Sequence, residues 1–304
     1  MQISILIANW NTCNFLRHCL QSILDTAQHL ELDTIVVDNA SNDDSVAMLR
    51  SEFPWVTLIE NTTNKGFGRA TNQAAQNAHG EMLMLLNPDT VLHEGTLQGM
   101  LNFLAFWPQV GAVGPRILNP DGSLQVSCSP RPTLLREAWR LFHIDDLHPL
   151  SRYPQKRLEA HEPQNVDVLL GACILLRHIV AEQTGMFDEQ FFVYSEEVDL
   201  CLRIQKAGWE IFWLPEVEVT HYGGQSTRQV ADQMFVELYR NKVKYFRKHG
   251  GPGSVVVYKS ILYCAALARW LSVAILSNSP EGQRRGWKNL SRQYRQLIRE
   301  LPQL

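Results

Sequence analysis

Met82-Leu83-Met84-Leu85-Leu86-Asn87-Pro88-Asp89-Thr90-Val91 decides how the chain is read. Five apolar residues between Gly80 and Pro88 predict a strand buried on both faces, with Asp89 at its carboxyl end. In open α/β sheets that end lines the ligand crevice. Asn-Pro-Asp is also ordinary turn chemistry, so the triplet alone leaves both readings open.

The same pattern repeats upstream. Residues 3–8 predict a strand ending at Asn9-Trp10-Asn11-Thr12, a polar turn suited to cap a helix over 15–30. Residues 34–37 predict a second strand, which stops at Asp38-Asn39-Ala40-Ser41 before a helix over 45–53. A third strand over 56–59 is followed by Asn64-Lys65-Gly66-Phe67-Gly68-Arg69 and a helix over 70–78. Strands alternating with helices imply a mainly parallel sheet with right-handed crossovers. Asn9, Asp38, Lys65 and Asp89 then share one rim. No Gly-x-Gly-x-x-Gly follows the first strand, which disfavours a nicotinamide dinucleotide. Asp38 stands where acidic residues bind ribose or base, and where one also caps a helix.

Composition narrows the partners. A chain of 304 residues with 45% hydrophobic content buries a sizeable core, and a net charge of -3 without a basic surplus argues against a nucleic-acid binder. The six cysteines fall at no metal-ligand spacing, as expected of a reducing cytoplasm without disulfides. The chain opens directly on a strand, so no signal peptide is expected, and no internal repeat is evident.

Downstream, residues 95–107 predict a helix, 110–116 a glycine-rich strand, and Asn119-Pro120-Asp121-Gly122 a tight turn between antiparallel strands. Periodicity is lost from 127 to 164 among five prolines. Such an insertion is expected to close over a ligand or contact a second substrate, or to be a surface excursion, and Arg131 fits either. Residues 166–177 read as a strand broken at Gly171, where the small Gly171 and Ala172 let a ligand approach the backbone. A helix follows over 178–185.

Ser195 then caps a helix reaching Ala207, whose first turn holds Glu196, Glu197 and Asp199. The helix dipole favours acids there. Three carboxylates beside Phe191, Phe192 and Tyr194 exceed what a cap needs, and such crowding raises the pKa of one towards neutrality. Two short strands, 209–215 and 217–221, lead to His221, a ligand or a hydrogen-bonded turn residue. A basic helix over 231–249 and Gly250-Gly251-Pro252-Gly253 close the region. Residues 255–276 approach the ~20 residues of a membrane span but are interrupted by Lys259 and Arg269. With the basic tail of Arg284, Arg285, Lys288, Arg292 and Arg295, they predict a helix lying in an anionic membrane interface, the alternative being packing against protein.

Taken together these residues resemble the inverting family 2 glycosyltransferases of the GT-A fold, in their bacterial rhamnosyltransferase-like branch. The carriers are the opening Ile5-Leu6-Ile7-Ala8-Asn9-Trp10-Asn11, the Val37-Asp38-Asn39-Ala40-Ser41 turn, Asn64 with Gly66, Phe67, Gly68 and Asn72, the Asn87-Pro88-Asp89 triplet, and Phe187-Asp188 through Arg203. The resemblance implies an α/β, Rossmann-like GT-A domain over residues 1–250, with a nucleotide-binding part over about 1–115 and an acceptor-binding part over about 116–250. A C-terminal helical, membrane-associating segment would follow over 251–304.

It further implies that Asp89 is the surviving metal position of the family's Asp-x-Asp motif, Asn87 replacing the first Asp, with His221 as second ligand or phosphate contact for Mg²⁺ or Mn²⁺. Such a cation offsets the charge that builds on a departing diphosphate. Ala8, Asn9, Asp38 and Asn39 would hold base and ribose; Lys65, Gly66, Arg69, Asn72 and Asn87 would meet the nucleotide sugar; Gly171, Ala172 and Trp209 would meet the acceptor. The attacking hydroxyl must lose a proton, which calls for a carboxylate base. By the resemblance this is Glu197, with Glu196 and Asp199 as alternatives because the family more often has Asp at that position. The implied activity moves rhamnose from dTDP-rhamnose to a lipid-linked or polysaccharide acceptor in O-antigen-like glycan synthesis. It would take place on the inner face of the cell membrane, and a homodimer is left open. The competing readings are a UDP-hexose transferase of the same fold and a catalytically silent nucleotide-sugar-binding scaffold.

Overall fold

The computed structural model describes residues 2–27, 30–154, 157, 159, 161–276 and 287–304. The chain divides into two compact units, Met1–Arg131 with Tyr153–Gln229, and Pro132–Arg152 with Val230–Leu304. The division therefore falls at 229/230 rather than at 250, and part of the irregular insertion goes with the C-terminal helices.

The strands are β1 (Ile3–Asn9), β2 (Leu32–Asp38), β3 (Thr57–Glu60), β4 (Met82–Leu86), β5 (Thr90–Leu92), β6 (Val110–Leu118), β7 (Leu124–Gln125), β8 (Cys128–Ser129), β9 (Gln164–Asn165), β10 (Val168–Leu169), β11 (Cys173–Arg177) and β12 (Glu210–His221). The main sheet runs β3-β2-β1-β4-β11-β6-β12-β5, with β7 on β6 and β9 on β12. β3, β2, β1 and β4 are parallel, as the alternating pattern predicts, and β11 is antiparallel to both of its neighbours. β6 and β12 run parallel to each other, so β12 ends on the same rim as β4.

The helices of the first unit are α1 (Cys13–Thr26), α2 (Ser45–Glu52), α3 (Phe67–Ala75), α4 (Thr96–Phe106), α6 (His178–Thr184) and α7 (Glu196–Lys206), while α5 (Leu134–Leu141), α8 (Ala231–Leu276) and α9 (Trp287–Glu300) belong to the second. The opening stretch serves two cores at once. Met82, Met84 and Leu86 pack with Leu16, Leu20 and Leu101 of α1 and α4, whereas Leu83 and Leu85 pack with Ala70, Ala74 and Leu200 of α3 and α7. Burying such side chains stabilises the fold by about 1.5–3 kcal/mol each, which holds the rim in place.

Several expected elements differ. α1 starts two residues earlier and ends at Thr26; residues 28–29 of the expected helix lie outside the described residues. The two expected strands over 209–221 are one, irregular between Leu214 and Glu218 around Pro215, which has no N–H to donate. The insertion contains α5, whose cap Thr133 accepts the Arg136 N–H; its single short turn-pair of apolar residues hides among prolines. In its own unit α5 is tied down by Glu137, buried and ion-paired to Arg140 and Lys242. The glycine-proline stretch interrupts the helix as its residues predict: α8 is two helices joined across a kink at Gly251, whose φ of 74° and ψ of -176° are non-helical, directly before Pro252.

The loop over 187–195 is seated on α3. Gly66 has φ +89°, and a Cβ there would lie 2.7 Å from the Phe192 carbonyl oxygen, to which Phe67 N–H donates at 2.8 Å. Gly66→Ala should therefore lower stability by about 1–3 kcal/mol through strain at a left-handed position and displacement of that loop, as read by the urea midpoint.

Candidate active site

Asp89 and His221 meet because the chain turns back into a strand directly after Pro88. Thr90 pairs with His221 across the antiparallel β5–β12 ladder, and Tyr222 N–H donates to the Asp89 carbonyl at 2.9 Å. The two side chains are 5% and 7% exposed, and Asp89 Oδ1 lies 3.2 Å from His221 Nε2. Across the ring, Nδ1 is 2.6 Å from Oε1 of Gln125 on the β6–β7 hairpin. Asn87 Nδ2 stands 3.4 Å from Nε2, and Gln225 N–H approaches Asp89 Oδ2 at 3.5 Å.

This donor set suits a divalent cation. A carboxylate oxygen and an imidazole nitrogen face each other in a buried space, and the ring's far nitrogen is held by a second partner. Among the described residues no three His, Cys, Asp or Glu side chains cluster, so a cation would complete its shell with phosphate oxygens and water.

The three acids of α7 part company by environment. Asp199 is fully buried and accepts from Arg203 Nε at 2.7 Å; Arg203 also donates to the carbonyls of Gly185 and Met186 at 2.8 and 2.7 Å. Asp199 thus anchors the 184–186 turn and is held away from proton transfer. Glu196 is 5% exposed, its Oε2 has no hydrogen-bond partner, and burial together with the neighbouring Glu197 pushes its carboxyl well above the usual range. Burial thus favours its protonated form. Glu197 is half-buried beside Gly171, where a Cβ would be 3.5 Å from Glu197 Cβ. The next carbonyl, that of Ala172, accepts Asn87 N–H at 2.9 Å and the Thr90 hydroxyl at 3.3 Å. One dipeptide therefore lies against the Glu197 side-chain stem on one side and holds the Asp89 turn on the other. Ser195 occupies the cap position without capping: it and Tyr194 are left-handed, at φ 68° and 70°, and no side-chain cap bond forms. Two strained residues directly before the acids set their direction.

On the nucleotide side, Asn9 Nδ2 donates to Asp38 at 2.9 Å and Ser41 N–H to its other oxygen at 2.9 Å, so Asp38 organises its own turn. Ala8 is 9% exposed on the adjacent strand. Asn39 staples the 61–66 loop to β2 through Asn61, Asn64, Lys65 and Gly66. The Lys65 side chain is exposed, and Arg69 pairs with Glu189 at 3.1 Å on the surface. Asn72 uses both ends of its amide on Phe187, at 2.8 and 3.0 Å, and rivets the 187–192 loop.

Trp209 is not brought to this rim. It precedes β12, while His221 ends it, and twelve residues of strand separate the two ends by about 40 Å of extended chain. At the start of β12, Trp209 packs on Gly111 and donates to Gln183. Gln125 and Gln225 escaped the reading of the sequence. A glutamine in a two-residue strand and a backbone N–H after a glycine pair carry no local signal.

The folded state holds Glu196 neutral, whereas the unfolded chain ionises it above about 4.5, so its contribution is full at acid pH and is lost as pH rises. Glu196→Gln should accordingly raise the urea midpoint at neutral pH, with the gain disappearing below the ordinary carboxylate range.

Comparison with known proteins identifies the family. The family model described as Glycosyl transferase family 2 matches residues 4–185. An N-acetylglucosaminyl-diphospho-decaprenol L-rhamnosyltransferase of Mycobacterium tuberculosis is 33% identical over 220 residues, 67% of this chain and 71% of its own length. The O-antigen biosynthesis protein RfbC of Myxococcus xanthus is 26% identical over 75% of this chain and 18% of its own. Among solved structures, the mannosyltransferase PcManGT of Pyrobaculum calidifontis, in complex with GDP-Man and Mn²⁺, aligns with a TM-score of 0.53 at 18% identity, covering 97% of this chain and 84% of that one. GalNAc-T7 with UDP, GalNAc and Mn²⁺ aligns with a TM-score of 0.57 at 17% identity, over 73% and 44%. With a GT-A-type sheet and these relatives, the chain belongs to glycosyl transferase family 2, in its rhamnosyltransferase-like branch, and is a glycosyltransferase.

Proposed function

We propose that the enzyme transfers a sugar with inversion from a nucleotide donor, dTDP-rhamnose, to a lipid-linked glycan. The observation that supports this reading is the bridge from the Glu197 side chain through Gly171 and Ala172 to the turn that carries the Asp89–His221 pair. The L-rhamnosyltransferase relative, named for a diphospho-decaprenol acceptor, supports the sugar and the acceptor class.

Glu197 takes the proton of the attacking hydroxyl. Glu196, whose burial favours its protonated form, and Asp199, whose charge Arg203 compensates, leave Glu197 as the acid of α7 whose charge neither burial nor Arg203 offsets. Asp89 and His221 would hold a divalent cation, which when bound would offset charge on the departing diphosphate. One imidazole in the donor set favours Mn²⁺ over the strictly oxygen-seeking Mg²⁺. Asn9, Asp38 and Asn39 shape the floor under base and ribose, and the exposed Lys65 side chain is available to the phosphates.

Glu197→Gln should reduce transfer by about 10²–10⁴-fold while leaving donor affinity unchanged, and Glu196→Gln should keep most of the activity. Retained transfer in the Glu197 variant would remove the base assignment. Calorimetry with dTDP-rhamnose, UDP-glucose and UDP-galactose, with and without Mn²⁺, tests the donor; preference for a UDP sugar would keep the chemistry and discard rhamnose.

The second unit supports a membrane-facing role at the inner leaflet. Among the described residues Thr227–Ile275 holds the one helix long and apolar enough to cross a bilayer. Val256, Val257, Tyr263, Leu271 and Ile275 are exposed along it. The hydroxyls of Ser260 and Ser272 donate to the carbonyls of Val256 and Ala268 at 2.9 Å, which masks them. Lys259 and Arg269 turn inward, to the carbonyls of Pro302 and Leu141 and the Tyr294 hydroxyl. Lys288, Arg292, Arg295 and Arg299 form an exposed stripe on α9; Arg284 and Arg285 lie outside the described residues. Leu271→Glu with Ile275→Glu should abolish co-sedimentation with anionic vesicles without changing donor binding. Unchanged sedimentation would end the membrane reading.

A further inference from the structure

Resting on the reading of Asp89 and His221 as metal ligands, we propose that Gln125 is a positioning residue which, through a hydrogen-bond chain starting at the β6–β7 turn, keeps the His221 proton on Nδ1 and presents Nε2 to the cation.

The chain has a fixed polarity. Asp121, ionised, only accepts, and takes the Ser123 hydroxyl proton at 2.6 Å. Two hydrogen bonds from Ser123 hold the Asp121 carboxyl below its usual range, so it stays an acceptor. With its proton committed, Ser123 Oγ accepts from Asn119 Nδ2 at 2.9 Å. That orients the Asn119 amide, whose Oδ1 accepts from Gln125 Nε2 at 2.9 Å. Gln125 Nε2 also reaches the His221 carbonyl at 3.4 Å, so the amide is oriented from two sides. Its Oε1 is then an acceptor, 2.6 Å from His221 Nδ1, which has to carry the proton. Asn87 Nδ2, 3.4 Å from Nε2, is a donor to the lone pair left there.

The consequence is electrostatic. In the neutral ring with its proton on Nδ1, the lone pair of Nε2 and the Asp89 carboxylate confront each other at 3.2 Å, and two acceptors at that distance need a positive charge or a proton between them. A divalent cation on the donor diphosphate meets that need. Gly223, at φ +64°, lies against the ring and Gln125, with its Cβ position 3.6 Å from Gln125 Nε2 and 3.8 Å from His221 Nδ1. The ring thus has a close backbone neighbour as well as a polar one.

The test uses the full-length protein. A long-range ¹⁵N–¹H spectrum of the histidine rings, recorded at alkaline pH and assigned by His221→Gln, should show the His221 proton on Nδ1; a proton on Nε2 overturns the proposal. Mn²⁺ is titrated calorimetrically in the presence of dTDP into wild type, Gln125→Leu and Gln125→Glu. Removing the acceptor should weaken Mn²⁺ about 10–100-fold, and the glutamate, which still accepts from Nδ1 but cannot donate to Asn119, should bind Mn²⁺ more tightly than the leucine variant. Wild-type affinity in the leucine variant overturns the proposal and leaves the metal reading standing. Absence of Mn²⁺ binding by the wild type removes the metal reading, and the proposal with it. If the leucine variant does not fold, the wild-type ring spectrum decides.

Discussion

The structure of the active rim depends on the pairing of β5 with β12. It is three residues long on one side, and it joins the end of the fourth strand to the end of the last. Without the Thr90–His221 register, the Asp89 carboxylate would be a turn residue and His221 the end of an edge strand. The backbone ladder brings them within 3.2 Å, and the rest of the site is placed relative to that contact. Ala172, which accepts from both Asn87 and Thr90, fixes the turn to β11 and hence to the neighbourhood of Glu197.

Differences in environment, more than in residue type, divide the labour among the acids. Three carboxylates fall within four positions of α7. One is neutralised as an ion by Arg203, one is kept uncharged by burial, and one is left half-buried beside a glycine. Adjacent carboxylates that would repel each other as a charged pair are made compatible this way, and the left-handed Tyr194–Ser195 step is the conformational cost of aiming them.

The second unit shows how a charge in an apolar run is accommodated. Lys259 and Arg269 look like interruptions when residues 255–276 are read as a string. On the helix both use carbonyls of their own unit, and the opposite side is left without exposed charge from Val256 to Ile275. Glu137, buried and paired with Arg140 and Lys242, ties α5 within this unit, although the segment Pro132–Arg152 interrupts the sequence of the other.

Local pattern determined much of this protein. The alternating strands and helices of the first ninety residues, the strand Met82–Leu86, and the acid-rich start of α7 follow from periodicity, turn chemistry and capping, all of which act over a few residues. Which side chains serve the site was decided only in three dimensions. Asn72 and Asp199 look like site residues and are spent on holding loops, because their partners, the backbone of Phe187 and the guanidinium of Arg203, are revealed by packing. Trp209 falls at the opposite end from His221 of a strand whose length merges two expected pieces. Gln125 acquires its role from a hydrogen-bond chain whose direction starts at Asp121 and ends at His221, ninety-six positions further on from Gln125, a distance over which no local propensity carries information.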